Sequence, residues 1–295
     1  MKTLLLGYQS IGQAALATLL ELGQDVTGVV THRDDPKERL WWKPLQELAR
    51  GADLPLYYFE DLGWKGLERL LLVSRPDIIL SAYFRRVIPG RLLKGIPRSG
   101  LNIHGSLLPK YRGRSPANWV LVNGEAETGV TLHEMISRAD AGPIVDQIRI
   151  PIGPRETIAT LYARMVEATG VLLRRSWSRV RQGTEQRVPQ DESQATYVRG
   201  RRPEDGEFDW TWPAHRIDCL VRAVGHPYPG AFCVVRGRKL FVWEGRPVRA
   251  GVPSEGFSVR CGQGAYEILH AQWEGELEEI PGRKIPSHLI EGAVP

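Results

Sequence analysis

"TLLLGYQSIGQAALATLLELGQDVTGVVTH", residues 3–32, is the stretch whose reading decides the fold. Its opening run, TLLLG at 3–7, is short and wholly apolar, as a strand covered on both faces should be. Residues 11–22 then place Ile11, Ala14, Leu16, Leu19 and Leu20 at helical spacing, and DVTGVVTH at 25–32 returns to strand character. A strand, a covering helix and a second strand in succession imply a parallel pair. Gly7 and Gly12 are spaced as G-Y-Q-S-I-G, which is neither G-x-G-x-x-G nor a P-loop. They are assigned to a tight turn and close helix packing. The same stretch is not a signal peptide, because Gly7 and Gln9-Ser10 interrupt the apolar run and no small-residue cleavage site follows.

The alternation continues. LPLYYF (54–59) reads as a strand, and a helix from about Leu62 to Val73 stops at Arg75-Pro76. DIILSAY (77–83), GLNIH (100–104), GVTLHEM (129–135) and PIVDQIRIPI (143–152) read as further strands, with a long helix over 156–180. Ligands of mostly parallel sheets bind at the carboxyl ends of strands, where His32, Tyr83 and His104 fall. Residues 183–205 are polar and rich in turn formers, and read as a linker. Past it, a helix over 213–224 carries Ile217, Leu220, Val221 and Val224 on one face. Then come short strand-like pieces punctuated by Gly: GAFCVVRG (230–237), KLFVWEG (239–245), GFSVRCG (256–262) and AYEILHAQW (265–273). The expected fold class is α/β: a mostly parallel catalytic domain over 1–190 and a small β-barrel or sandwich domain over 205–295.

Composition narrows the partners. Of the 295 residues, 42% are hydrophobic and 25% charged, and no apolar run approaches the ~20 residues of a membrane helix. The net charge of +5 suits an anionic ligand or a nucleic acid without choosing between them. The positive charge is spread out, its densest block being RGRR (199–202), so a nucleic-acid footprint is not favoured. Cys219, Cys233 and Cys261 are odd in number and widely spaced, forming neither a metal pattern nor a disulfide framework. They read as small buried hydrophobes of a cytoplasmic protein, and no metal site is expected.

The chemistry concentrates in "LNIHGSLLPKYRGRSP" (101–116). Asn102 and His104 are two apart on a strand, so both side chains project to one face at its carboxyl end. The loop behind them holds Lys110, Arg112 and Arg114 and reads as an anion-binding loop. Asp140, in SRADAG (137–142), is either a turn-forming residue or a charge partner. Facing His104, its carboxylate would raise the imidazole's pKa and keep it protonated. A proton donor, an amide donor and a charge partner suit a tetrahedral oxyanion at an acyl or formyl carbonyl. No Ser or Cys stands in a nucleophile setting, which favours direct attack by a substrate amine. His133 and His226 read as packing or hydrogen-bonding residues. Trp41-Trp42 read as core, as a surface ring pair, or as a stacking platform for a base or pterin.

NIHGSLLPKYRGRSPANWVLVNGEAETGVTLHEM (102–135) and RADAGPIV (138–145) together resemble the signature of the N10-formyltetrahydrofolate-dependent formyltransferases. THRDDP (31–36), RPDIILSAYFRRVI (75–88), GRRPEDGEFDW (200–210) and VRAVGHPYPGAF (221–232) extend the resemblance over nearly the whole chain. It implies a Rossmann-like domain followed by an OB-like barrel, with N10-formyltetrahydrofolate as co-substrate. It also implies that Asn102 stabilises the oxyanion, His104 is the acid and Asp140 raises the His104 pKa. The pterin end of the folate would be held by Arg86, Val87, Ile88, Arg114 and the run Ile136, Ser137, Arg138, Ala139 and Asp140. Within the family the sequence is most similar to the formyltransferases of UDP-4-amino-4-deoxy-L-arabinose, which implies a UDP-amino sugar partner and a role in lipid A modification and polymyxin resistance. Other nucleotide-linked amino sugars, and then methionyl-tRNA, are the alternative acceptors; a non-catalytic folate or sugar-nucleotide binding module comes last. HRDDPKERLWWKPLQELARG (32–51) is short and mixed in sign where tRNA-directed members carry a basic insertion, which argues against nucleic acid. The arabinose enzymes continue into an NAD-dependent decarboxylase; this sequence ends at Pro295, so no oxidative step is expected. The acceptor's binding residues and the oligomeric state, a homodimer included, stay open.

Overall fold

The computed structural model of the chain describes residues 1–36, 41–249 and 255–286. Residues 37–40, and residues 250–254 and 287–295 of the expected C-terminal domain, lie outside the described residues. The chain forms two compact units. The first comprises Met1–Pro116, Glu127–Pro151 and Ala163–Val198; the second comprises Ala117–Ala126, Ile152–Tyr162 and Arg199–Pro295.

In chain order the elements are β1 (Lys2–Gly7), α1 (Gln9–Glu21), β2 (Asp25–Thr31), α2 (Leu45–Gly51), β3 (Leu56–Tyr58), α3 (Phe59–Ser74) and β4 (Ile78–Ala82). There follow α4 (Gly90–Leu93), β5 (Gly100–His104), β6 (Arg112–Gly113), α5 (Pro116–Val122), β7 (Glu127–Glu134), β8 (Ile144–Pro151), α6 (Ile158–Gln182) and β9 (Tyr197–Val198). Seven strands make one sheet in the order β3-β2-β1-β4-β5-β7-β8. The first five run parallel, while β7 lies antiparallel to both β5 and β8, so the sheet is Rossmann-like and mostly parallel as expected.

Leu4, Leu5 and Leu6 of β1, Ile78, Ile79 and Leu80 of β4, and Leu101 and Ile103 of β5 are buried. Both faces of these strands are covered, which is why they read as continuous apolar runs rather than alternating ones. Each such side chain contributes roughly 1.5–3 kcal/mol of burial. The assignment of Gly7 and Gly12 to close packing holds: a Cβ on Gly12 would lie 3.0 Å from the Gly7 carbonyl carbon. The strand expected over 54–59 is only Leu56–Tyr58, because Phe59 already opens α3. That helix ends where Arg75 turns left-handed ahead of Pro76.

The segment expected to be a linker is part of the first unit as far as Val198. β9 pairs with β6 in parallel, and Val188 bridges Ile144. The second unit contains α7 (Ala214–Val224), β10 (Ala231–Val235), β11 (Arg238–Val248), β12 (Phe257–Arg260), β13 (Ala265–Trp273) and β14 (Ile280–Pro281). These strands form an antiparallel, OB-like sheet ordered β10-β11-β13-β12, with β14 on β13. Cys219, Cys233 and Cys261 are free and buried there, and act as small hydrophobes. No described helix is long and apolar enough to cross a membrane.

Candidate active site

β5 carries Asn102 and His104 to its carboxyl end, and the antiparallel neighbour β7 sets His133 directly opposite Asn102. Because β7 pairs with β5, the turn after β7 brings Asp140 back over the same strand end. Asp140 itself adopts a left-handed backbone, with φ 54°. Close packing is what requires Gly142 in this turn. A Cβ there would overlap the Glu134 carbonyl oxygen at the end of β7.

The four side chains converge. His104 Nδ1 stands 3.6 Å from Asp140 Oδ1, and Asn102 Nδ2 lies 3.4 Å from the same oxygen. Asn102 Nδ2 is also 3.1 Å from His133 Nε2, and that nitrogen is 3.5 Å from Asp140 Oδ1. The other carboxylate oxygen accepts from the Gly113 N–H at 2.9 Å. The carbonyls fix the ring protons. His104 Nε2 donates to the Tyr111 carbonyl at 2.8 Å, and His133 Nδ1 donates to that of Glu134 at 2.9 Å. This leaves His133 Nε2 as an acceptor for the Asn102 amide, and His104 Nδ1 as the position where a second proton is gained or lost.

His104 is 6% exposed, and its charge state differs from the one expected. Burial lowers its pKa below the ordinary histidine value; Asp140 and the Tyr111 hydrogen bond pull upward without reversing that, and His133 adds to the lowering. Asp140 therefore favours the imidazolium but does not hold the resting ring in that form. For Asp140, burial pushes upward, but His104, His133 and the Gly113 N–H hold the carboxyl well below the usual carboxylate range.

Other assignments fare unevenly. Arg112, read as part of an anion-binding loop, is fully buried and unavailable to a ligand. Its guanidinium is bound by Glu192 at 2.8 and 3.1 Å, by Gln190 and by the Tyr197 hydroxyl, because a buried cation requires a carboxylate. Lys110 and Arg114 remain exposed. Of the residues expected to hold a pterin, Arg86, Val87, Ile136, Ser137 and Arg138 are exposed and Ala139 half-buried. Ile88 is packed in the core, so it can offer a ligand only its backbone. The 86–90 and 136–140 segments meet where a Cβ on Gly90 would lie 3.7 Å from that of Ser137. Exposed Val87 and Ile136 on these segments suit a flat apolar ring. Arg138 turns toward Glu192 and Tyr197.

His133 is the site residue the sequence undervalued: it does hydrogen-bond, as read, but its partner is Asn102. Its position one residue before the end of the strand paired with NIH was the available signal. His32 is buried at the end of β2, where its Nδ1 meets Glu60 at 2.8 Å and its Nε2 accepts from the Arg85 N–H. Tyr83 follows β4 in a left-handed conformation, and its hydroxyl crowds Gly105. Trp41 and Trp42 are half-buried, with Trp42 set edge-on against Tyr8. His226 stacks on Trp243 at 3.9 Å and pairs with Glu279, in keeping with a structural role.

Residues 1–176 match the family model described as formyl transferase, and residues 201–279 the one described as formyl transferase, C-terminal domain. Solved structures that share the fold include three of particular relevance. One is an N-formyltransferase from Helicobacter canadensis in complex with folinic acid and dTDP-3-aminofucose: 20% identity over 91% of this chain and 98% of that one, TM-score 0.73. A sugar N-formyltransferase from Shewanella is 18% identical over 83% of this chain and 97% of its own, TM-score 0.67. HypX from Aquifex aeolicus, in complex with tetrahydrofolic acid, is 20% identical with TM-score 0.67; 99% of this chain covers 48% of it, so the chain spans about half its length.

Proposed function

The chain belongs to the formyl transferase family of enzymes, and from that premise we propose that it moves the formyl group of N10-formyltetrahydrofolate onto the amine of a nucleotide-linked amino sugar. UDP-4-amino-4-deoxy-L-arabinose is the first candidate acceptor, which would place the reaction in lipid A modification and polymyxin resistance. The observation that carries the reading is the convergence of Asn102, His104 and Asp140 on one strand end, with donor atoms within 3.6 Å of a single carboxylate oxygen. Support for a folate and a sugar amine comes from the relatives crystallised with folinic acid and dTDP-3-aminofucose or described as sugar N-formyltransferases.

The substrate amine attacks the formyl carbon, and the carbonyl oxygen becomes an oxyanion. Asn102 and the protonated Nδ1 of His104 donate to it. Because burial keeps the resting imidazole neutral, the second proton is held best when negative charge develops beside it, which is where it lowers the barrier. The bond from the formyl carbon to the folate nitrogen then breaks. Nδ1 of the neutral His104 receives that second proton from the attacking amine and passes it to the departing folate nitrogen, so the ring ends neutral, as it began. Asp140 stays ionised throughout and holds the imidazolium in place.

An acceptor panel tests the proposal: N10-formyltetrahydrofolate with UDP-4-amino-4-deoxy-L-arabinose, dTDP- and GDP-linked amino sugars, and methionyl-tRNA. Turnover should be fastest with a nucleotide sugar. Preference for methionyl-tRNA would overturn the acceptor class.

A further inference from the structure

We propose that Gln190 is a positioning residue of the formyl-transfer site, fixing Asp140 against His104 from the extended segment that follows α6. The inference rests on the functional reading above. Residues 188–198 have the composition of a connector, yet they hold the catalytic loops from behind. Gln190 Nε2 donates to the carbonyl of Asp140 at 2.8 Å and to that of Gly142 at 2.7 Å. Its Oε1 accepts from Arg112 Nε at 3.1 Å and Nη2 at 2.8 Å. A guanidinium only donates and a carbonyl only accepts, so the amide has one permitted orientation and uses both of its ends.

That arrangement meets a specific need. Asp140 is left-handed at φ 54°, a conformation a non-glycine residue keeps only when its surroundings over-determine it. Gly113 and Asn102 hold its side chain, and Gln190 holds its backbone. Arg112 is fixed in turn by Glu192 and Tyr197, and Arg138 reaches the same two groups. Six residues further along, Thr196 Oγ1 accepts from the Tyr111 N–H at 2.8 Å, and Tyr111 offers its carbonyl to His104. One segment thus supports both Asp140 and the residue that orients His104. The charged or titratable groups facing this pair are His133 from β7 and, across Gln190, Arg112, Arg138, Glu192 and Tyr197.

The test uses the full chain as wild type, Gln190→Met, Gln190→Ala and Asp140→Asn. Methionine keeps the length and can neither donate an N–H nor accept as an amide does. Steady-state rates are measured with N10-formyltetrahydrofolate and the sugar nucleotide that turns over fastest in the acceptor panel, and the His104 imidazole is titrated by NMR. Both Gln190 variants should lose roughly ten- to hundredfold in kcat while KM for each substrate stays within about twofold, the signature of misplacement rather than lost binding. Their His104 midpoint should move toward that of Asp140→Asn. Wild-type kcat with an unmoved His104 midpoint would overturn the proposal, and so would loss of the fold in both variants, which would make the residue structural. If Asp140→Asn turned over like wild type, or wild type formylated none of the amino sugars, the functional reading would fail instead. The NMR comparison would then still decide whether Gln190 sets the Asp140–His104 pair.

Discussion

Nδ1 of His104 lies 3.6 Å from Oδ1 of Asp140, while the opposite nitrogen of the same ring donates to the Tyr111 carbonyl at 2.8 Å. The ring is thus anchored through one proton and faces a carboxylate with the atom that can take another. Burial opposes that second proton and Asp140 favours it, with burial the larger of the two. In an NMR titration of the free protein, His104 should therefore have its midpoint below the ordinary histidine value. Asp140→Asn removes the opposing attraction and should lower the midpoint further. A midpoint that rises in that variant would reverse the assignment.

Removing either oxyanion donor should be costly to catalysis and mild for the fold. Asn102→Ala and His104→Ala are each expected to reduce kcat by about 10²–10³, on the order of 2.7–4 kcal/mol of barrier. Circular dichroism and thermal melting should show both variants folded. Turnover near wild type in either would remove that residue from the mechanism.

His133 acts through Asn102. Its Nε2 receives the amide at 3.1 Å because its Nδ1 proton is committed to the Glu134 carbonyl. His133→Phe keeps the ring in a site only 1% exposed and removes that acceptor. One net hydrogen bond, about 1 kcal/mol, corresponds to a roughly fivefold fall in kcat. A variant that loses substrate affinity alone would show that His133 serves binding instead.

What was legible in the sequence follows from range. β1, β4 and β5 stand out because burial on both faces demands unbroken apolar runs, and Asn102 and His104 stand out as the polar interruption of one. Arg112 was misread because a sequence carries its charge but not its burial; in the fold Glu192, 80 residues away, neutralises it. Gln190 was invisible for the same reason, since its partner Asp140 is 50 residues distant and a polar, turn-rich segment looks alike whether it links or braces. The charge on His104 needed both facts at once. Its carboxylate neighbour could be guessed from the turn, whereas the desolvation that outweighs it depends on the packed loop above.

Acid stability should expose the two depressed carboxyls. The Asp140 carboxyl is held well below the usual aspartate range, and Glu192 is held at about 2 by hydrogen bonds from Arg112 and Arg138. A carboxyl whose pKa is lower folded than unfolded binds fewer protons in the native state. Its stabilisation is complete above the unfolded value and fades as pH falls through the folded one. For Glu192 that window runs from about 4.5 down to about 2. Urea unfolding should show wild type losing stability faster than Glu192→Gln or Asp140→Asn as the pH drops below about 4.5. Parallel pH curves for all three proteins would contradict both assignments.

Gly142 offers the sharpest geometric test, because the two atoms nearest an added Cβ are both backbone. An added Cβ would overlap the carbonyl of Glu134, which cannot swing away as the end of a side chain could. Either the end of β7 or the Asp140 turn must move, and the turn is the weaker of the two: the Gly142 carbonyl is held there by one bond from Gln190. Gly142→Ala should therefore cost about 1–3 kcal/mol of stability, as overpacking does. It should also reduce kcat by on the order of a hundredfold, because Asp140 moves with the turn. Gly153→Ala is the control, since no atom lies within 4 Å of its Cβ position. If the two variants melt together and turn over alike, the Asp140 turn tolerates displacement, and close backbone packing is not what places the carboxylate.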